Sequence, residues 1–94
     1  MQIAIDPVKG PQVGPVGEQA RVALLNVQNI LEAAGSSMSR VLRVTVYVSD
    51  ITLWDEVNLV YSEVFGDHKP VRGVVPVKKL HLGLDVAFEV TAAI

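Results

Sequence analysis

The sequence predicts an α+β two-layer sandwich, a sheet packed against two helices in the order β-α-β-α-β-β. Two stretches, Gly17 to Ala34 and Thr52 to Phe65, repeat apolar residues at spacings of three and four, the pattern of an amphipathic helix. Shorter runs near residues 2–5, 42–48, 71–78 and 85–93 are strand-like, and Gly, Pro and Ser clusters separate them. A chain of 94 residues has room for one core, so residues 1–94 are read as a single domain.

Gln2 to Ile5 forms a short strand closed by Asp6-Pro7, and Gly10-Pro11 and Gly14-Pro15 mark a turn-rich loop. In the first helix Ala20, Leu24, Val27, Ile30, Leu31 and Ala34 make the apolar stripe. Glu18 complements the helix dipole in the first turn, and Gly35 supplies the stop. After Ser36, Ser37 and Ser39, the strand from Leu42 to Val48 places Val44, Val46 and Val48 on one face and Arg43, Thr45 and Tyr47 on the other. Asp50 suits the N-cap of the second helix, whose buried stripe is read as Trp54, Val57, Tyr61 and Val64, with Gly66 ending it. A strand from Val71 to Lys78, a turn around His81 to Gly83 and a last strand from Asp85 to Ala93 follow. The short turn predicts that these two strands pair as an antiparallel hairpin. The sheet face without helices is left for a partner subunit to cover.

Half of the residues are hydrophobic and 19% are charged, the reverse of a disordered chain. So much apolar surface on so short a chain points to an oligomer. The absence of cysteine excludes disulfides, thiolate nucleophiles and cysteine-based zinc sites, and it favours a reducing compartment. The N-terminus carries no signal-peptide pattern, and no apolar run approaches the roughly 20 residues that span a bilayer. A soluble cytoplasmic protein without a membrane partner is therefore expected. The net charge of −2 gives no global pull toward nucleic acid.

His68 and His81 lie in separate loops, neither with a second ligand at metal spacing, so both are read as solvated and no metal is expected. Ser36, Ser37, Ser39 and Ser62 sit in no nucleophile elbow, and Gly10, Gly14 and Gly17 are too widely spaced to cradle a phosphate. Asp55, Glu56, Glu63 and Asp67 read as solvated surface. Arg72 stands apart, because its neighbours on the same strand face, Val74 and Pro76, are apolar. It either snorkels over the sheet edge or points into a cleft to hold an anion, where its planar fork suits a carboxylate. Gly73 beside it permits close approach of a backbone or a ligand. Asn58, in mid-helix between Val57 and Leu59, is best explained by hydrogen bonding to a nearby loop.

Several segments, in register along the whole chain, resemble the Rid family, also called YjgF. They are Gln-Ile-Ala-Ile-Asp-Pro (2–7), Ile-Leu-Glu-Ala-Ala-Gly-Ser-Ser (30–37), Val-Thr-Val-Tyr-Val-Ser-Asp (44–50), Val-Asn-Leu-Val-Tyr-Ser-Glu-Val-Phe-Gly-Asp-His (57–68) and Pro-Val-Arg (70–72). The resemblance implies a chorismate-mutase-like fold assembled as a homotrimer with ligand clefts between subunits. It implies hydrolysis of small reactive 2-imino acids to 2-keto acids and ammonia, with no cofactor. Arg72 then matches the arginine that grips the substrate carboxylate, the backbone carbonyl of Val74 helps hold the attacking water, and Asn58 matches a helix asparagine near the cleft.

Three departures from the family pattern stand out. The family's N-terminal segment is expected to be missing, with Met1 where a Ser-Gly-Gln motif would supply its glycine, which removes a tyrosine and a serine from the cleft. Val74 replaces a frequent cysteine but keeps the carbonyl. The last strand of the family carries two alternate glutamates, the first of which orients water. Ungapped alignment through Gly83 puts Ala87 at that first position and Glu89 at the second, whereas a two-residue slip in the turn puts Glu89 at the first. The ungapped register is preferred on the turn glycine, and it leaves the water-orienting acid absent. An N-terminally shortened chain would also lack a strand, leaving a sheet edge for altered subunit contacts to cover.

The leading functional expectation is thus a 2-imino-acid deaminase anchored by Arg72. The alternative is a trimer that binds or senses carboxylate metabolites without turnover. A third, the endoribonuclease activity attached to some members of the family, would use Lys69, Arg72, Lys78 and Lys79 as a basic patch. It is disfavoured by the net acidic charge and by the want of an aromatic stacking platform.

Overall fold

The computed structural model describes residues 2–6, 9–78 and 80–94. Met1, the proline of the expected Asp6-Pro7 turn and Lys79 of the expected basic patch lie outside the described residues. A four-stranded mixed sheet runs in the order β1 (Gln2–Ile3), β6 (Val86–Ala92), β4 (Val41–Val48), β5 (Val71–Pro76). Helices α1 (Val16–Ala33) and α2 (Trp54–Phe65) pack side by side on one face. The expected two-layer α+β architecture is therefore present.

The order of strands corrects one expectation. β5 and β6 are not a hairpin; each pairs with β4, β5 in parallel and β6 antiparallel. The connection that matters is β4–α2–β5, in which a helix carries the chain back to a parallel neighbour. The short link after β5 instead crosses β4 through a 3₁₀ turn at His81–Gly83, where Leu82 at φ 60° and Gly83 at φ 70° take left-handed backbone. The N-terminal run also divides. Only Gln2 and Ile3 join the main sheet, while β2 (Ile5–Asp6) and β3 (Gly10–Pro11) form a small antiparallel pair inside the expected loop.

Val44, Val46 and Val48 of β4, with Val86 and Phe88 of β6, are fully buried beneath the helices. From α1 they meet Ala20, Ala23, Leu24 and Val27, and from α2 Val57, Val60, Tyr61 and Phe65. The apolar stripe of α1 is shorter than its periodicity suggested, since Ile30 is 51% exposed and Ala34 also faces solvent. In α2, Trp54 and Val64 are half-buried at the rim, and Val60 and Phe65 carry burial in their place. A 3₁₀ turn (Ile51–Leu53) precedes α2, and Asp50 caps it by accepting from the Thr52 amide at 2.9 Å. That hydrogen bond, with a second from the Thr52 hydroxyl, holds the Asp50 carboxyl below its ordinary pKa.

A polar amide side chain also lies inside. Gln19 of α1 is fully buried, donates to the Gly14 carbonyl at 2.9 Å and to Asp85 Oδ2 at 3.1 Å, and accepts from the Asp85 amide at 2.7 Å. Ser49 completes the group by donating to Asp85 Oδ1 at 2.8 Å. The cluster ties the entry to α1 to the ends of β4 and β6, and every partner in it is satisfied. Two more carboxylates read as solvated do the same kind of work between helices. Glu56 accepts from the Gly17 amide at 2.6 Å in the first turn of α1, and Glu63 pairs with Arg21 at 2.8 Å. A Cβ at Gly17 would come within 3.2 Å of the Glu56 carboxylate, so glycine there is what lets the acid reach the helix end.

Gln19→Leu should cost about 1–2 kcal/mol, because it takes a fully buried amide's hydrogen bonds away from the half-buried Asp85 amide and carboxylate and from the Gly14 carbonyl. Urea denaturation of the two proteins measures this directly. Equal midpoints would mean that water takes over both groups.

Candidate functional site

Side-chain alternation decides where each candidate residue lies. Arg72 pairs with Val44 and Val74 with Val46, so both share the face that carries the helices. Ala87 and Glu89 pair with Tyr47 and Thr45 on the opposite face. Arg72 and Glu89 therefore lie on opposite sides of one sheet, and a single chain does not bring them together. Ala87 is fully buried, whereas Glu89 is exposed and is the sole carboxylate of β6. The same open face carries Val71, 72% exposed, and Val75, 41% exposed, next to half-buried Thr45 and Tyr47. It is the uncovered surface expected from the alternation of β4.

β5 is an edge strand, at the opposite side of the sheet from β1. The Val77 amide donates to the Val48 carbonyl at 2.8 Å, so odd-numbered residues of this strand turn their backbone groups toward β4. Backbone groups of successive strand residues point in alternate directions. The amides and carbonyls of Arg72 and Val74 therefore point away from the sheet, and Pro76, which has no amide to pair, falls in the same outward phase. The Val74 carbonyl is thus a free acceptor two residues beyond the Arg72 side chain.

The guanidinium of Arg72 neither hangs in solvent nor lies along the sheet edge. It crosses α2, where Nη1 donates to Asn58 Oδ1 at 2.8 Å. Its Cζ sits 4.8 Å from the ring centre of Trp54 and 5.0 Å from that of Tyr61. The asparagine thus bonds to the arginine of β5 and not to a loop. Trp54, Asn58 and Tyr61 follow one another at i, i+4 and i+7, one stripe of α2. The sequence carried that spacing, but assigning Trp54 and Tyr61 to the core concealed it. Arg72 remains exposed despite these contacts, with guanidinium donors to spare.

Beside it opens a cleft of about 260 Å³, lined by Tyr61, Ser62, Phe65, His68, Lys69 and Arg72 among others. His68 is not a solvated loop residue. Its Nε2 lies 2.7 Å from the Val41 carbonyl, and since a carbonyl only accepts, that nitrogen carries the proton. Gly73 has nothing within 4 Å of where a Cβ would stand, so no close approach within the chain requires a glycine. The Tyr61 hydroxyl is buried without a hydrogen-bond partner among the described residues. Burial pushes its pKa up, against a smaller opposing pull from Arg72. Among the described residues there is no cluster of three or more His, Cys, Asp or Glu that could hold a metal ion.

Of the expected basic patch, Lys69 and Arg72 stand at the start of β5 and Lys78 beyond its end. Lys78 follows Arg72 by six positions, about 20 Å in extended chain. Lys78 lines a different depression, with Ser49, Asp50 and Asp85. No helix among the described residues is long and apolar enough to cross a membrane.

Tyr61→Phe should raise stability by about 1 kcal/mol, since it removes a buried hydroxyl that has no partner. A phenol whose pKa is raised on folding contributes stability that is full below its unfolded value, near pH 10, and is lost as pH rises through the folded value. The variant should therefore lose less stability than the parent above about pH 10, as urea titrations at stepped pH would show.

The endoribonuclease L-PSP family model matches residues 2–94. Protein HMF1 of Saccharomyces cerevisiae is 38% identical over 92 residues, covering 98% of this chain and 71% of that protein. The 2-iminobutanoate/2-iminopropanoate deaminase of Homo sapiens is 37% identical over 92 residues, covering 97% of this chain and 67% of that protein. The crystal structure of E. coli TdcF with bound serine superposes with a TM-score of 0.93 at 33% identity, covering 98% of this chain and 75% of that one. Family model, relatives and fold agree, and the chain belongs to the endoribonuclease L-PSP family, the Rid or YjgF family of its sequence motifs.

Proposed function

We propose that this protein hydrolyses small 2-imino acids to 2-keto acids and ammonia, with Arg72 as the carboxylate anchor. The observation that carries this reading is the state of Arg72. Its guanidinium is held against α2 by one hydrogen bond and two rings, yet is open to solvent at the mouth of a cleft. A guanidinium so placed matches the planar, two-oxygen geometry of a carboxylate. Imine deaminase is the name of the human relative, and serine, bound in the E. coli neighbour, carries a carboxylate of the same kind.

The chemistry asks little of the protein. A protonated imine carbon is already electrophilic. Water adds to it, one proton of the added water passes to nitrogen, and the C–N bond then breaks as the C=O bond forms, the remaining hydroxyl proton leaving with the ammonia as ammonium. Fixing the carboxylate on Arg72 and the water on the Val74 carbonyl converts an encounter in solution into a positioned one. No cofactor enters this scheme. Glu89 could take part only from another copy, since it faces away from Arg72 within one chain. The homotrimer implied by the motifs, with clefts between subunits, would supply that arrangement, and the open face with Val71 and Val75 suits such a contact. We retain the cytoplasm as the compartment and the single-domain reading of residues 1–94 as parts of the same proposal.

A second reading has a specific observation in its favour. Ala87, at the position where the ungapped register expects the water-orienting acid, is a buried methyl group and cannot take up a proton. The protein would then bind 2-keto or 2-imino acids without turnover. Nuclease action has less support, because Lys69 and Arg72 are far from Lys78 along β5.

The test is to generate 2-iminobutyrate with a threonine dehydratase and follow its decay. The expected result is acceleration over buffer that falls at least tenfold in Arg72→Ala, since a charge-assisted bidentate contact is worth about 1.5–3 kcal/mol. Calorimetry with 2-ketobutyrate separates the readings, because Arg72-dependent binding without acceleration selects the binding protein. Neither binding nor acceleration would sink both.

A further inference from the structure

We propose that Trp54 and Tyr61 are positioning residues for Arg72, gripping the faces of its guanidinium so that its free edge is presented pre-set to a ligand carboxylate. The proposal rests on the reading of Arg72 as anchor. It goes beyond that reading by assigning a role to two aromatic side chains that the motifs leave in the core.

The geometry points this way. Trp54 and Tyr61 lie seven residues apart on α2, two turns along one side of the helix. The guanidinium carbon lies over both rings, 4.8 Å from one ring centre and 5.0 Å from the other, so a single cation is shared by two aromatic faces. Asn58, one turn from each, takes Nη1 at 2.8 Å and fixes rotation about the stack. An arginine side chain has four rotatable bonds, and an exposed one loses that freedom when it binds an anion. Two rings and an amide restrict it beforehand, so the ligand meets a fork already ordered. The rings reach Arg72 from different depths. Tyr61 is a core residue, 5% exposed, with its ring centre 4.6 Å from that of Phe65, whereas Trp54 stands at the half-buried rim. Trp54 can therefore be altered with little effect on the core.

Trp54 is also the single tryptophan of the chain, so the clamp reports on itself. The experiment measures affinity for 2-ketobutyrate by calorimetry, together with Trp54 fluorescence, in the full-length protein. Trp54→Leu should weaken binding about five- to tenfold, the loss of one partly desolvated cation–π contact. Trp54→Phe, which keeps a ring, should recover most of it. Tyr61→Leu should weaken binding by a comparable factor, and Tyr61→Phe, which keeps the ring face, should recover most of it. In an Arg72→Ala background Trp54→Leu should have no further effect, an outcome that a merely structural role for the ring would not produce. In the parent protein the ligand should change Trp54 emission, and in Arg72→Ala it should not. Weak binding in Arg72→Ala with parental binding in Trp54→Leu overturns the positioning role and leaves the anchor standing. Parental binding in Arg72→Ala overturns the anchor itself, and the clamp with it.

Discussion

The alternation of side chains across the β5–β4–β6 ladder, unbroken from Arg43 to Val48 of the central strand, governs the rest of this structure. β4 stands at the centre, and its register with both neighbours determines which residue faces the helices and which faces outward. From Val44 onward the even-numbered residues of β4 build the core with the even-numbered residues of β6, while a register shift between Val41 and Arg43 turns Val41 into the core and leaves Leu42 exposed. On β5 the same phase puts Arg72 and Val74 on the helix side. A slip of one residue on either flank would exchange the faces. The buried valines at 44, 46 and 48, with Phe88 opposite Val46, resist such a slip, since it would turn the whole apolar set outward. The position of Arg72 is thus a consequence of core packing on β4, the strand beside it, and on β6 beyond.

That constraint explains why the arginine meets α2. An arginine on the inward face of a central strand would be buried without a counter-charge, a costly arrangement. On the edge strand its stem can run past the side of the helix layer to the surface. The α2 stripe supplies what a guanidinium tolerates best short of a carboxylate: two aromatic faces and an amide oxygen. None of these neutralises the charge. Arg72 is accommodated and left electrostatically hungry, and a bound anion would complete its environment.

Much of this was legible in the sequence, and what was not has identifiable causes. The helices, the central strand and the faces of β4 follow from periodicity, because burial on one side imposes it. The hairpin between β5 and β6 was misread because a short link between strands normally joins antiparallel neighbours. Here Leu82 and Gly83, both in left-handed backbone, let the chain cross over β4 in few residues. Glu56, Glu63 and His68 looked solvated because their partners, Gly17, Arg21 and Val41, lie at least 27 residues away in sequence. Buried Gln19 escaped notice for the same reason, since its partner Asp85 is 66 residues distant. Arg72 was found by its apolar neighbours. Trp54 and Tyr61 were seen as apolar residues first, and an aromatic ring serves a core and a cation equally well.

The division of candidate residues between the two faces bears on catalysis as well as on assembly. A side chain that holds a carboxylate must be ordered before the ligand arrives, and Arg72 is, within one chain. A group that moves protons needs only to reach the water, and a partner copy could bring it there. General acid–base help is worth about 10²–10⁴ in rate, whereas good positioning can contribute far more. On the proposed reading, the part of the site built within one chain is therefore the part that contributes most. An imine that reacts with water unaided is the substrate class for which this division is sufficient. The buried methyl of Ala87 would then limit the rate of turnover without affecting recognition.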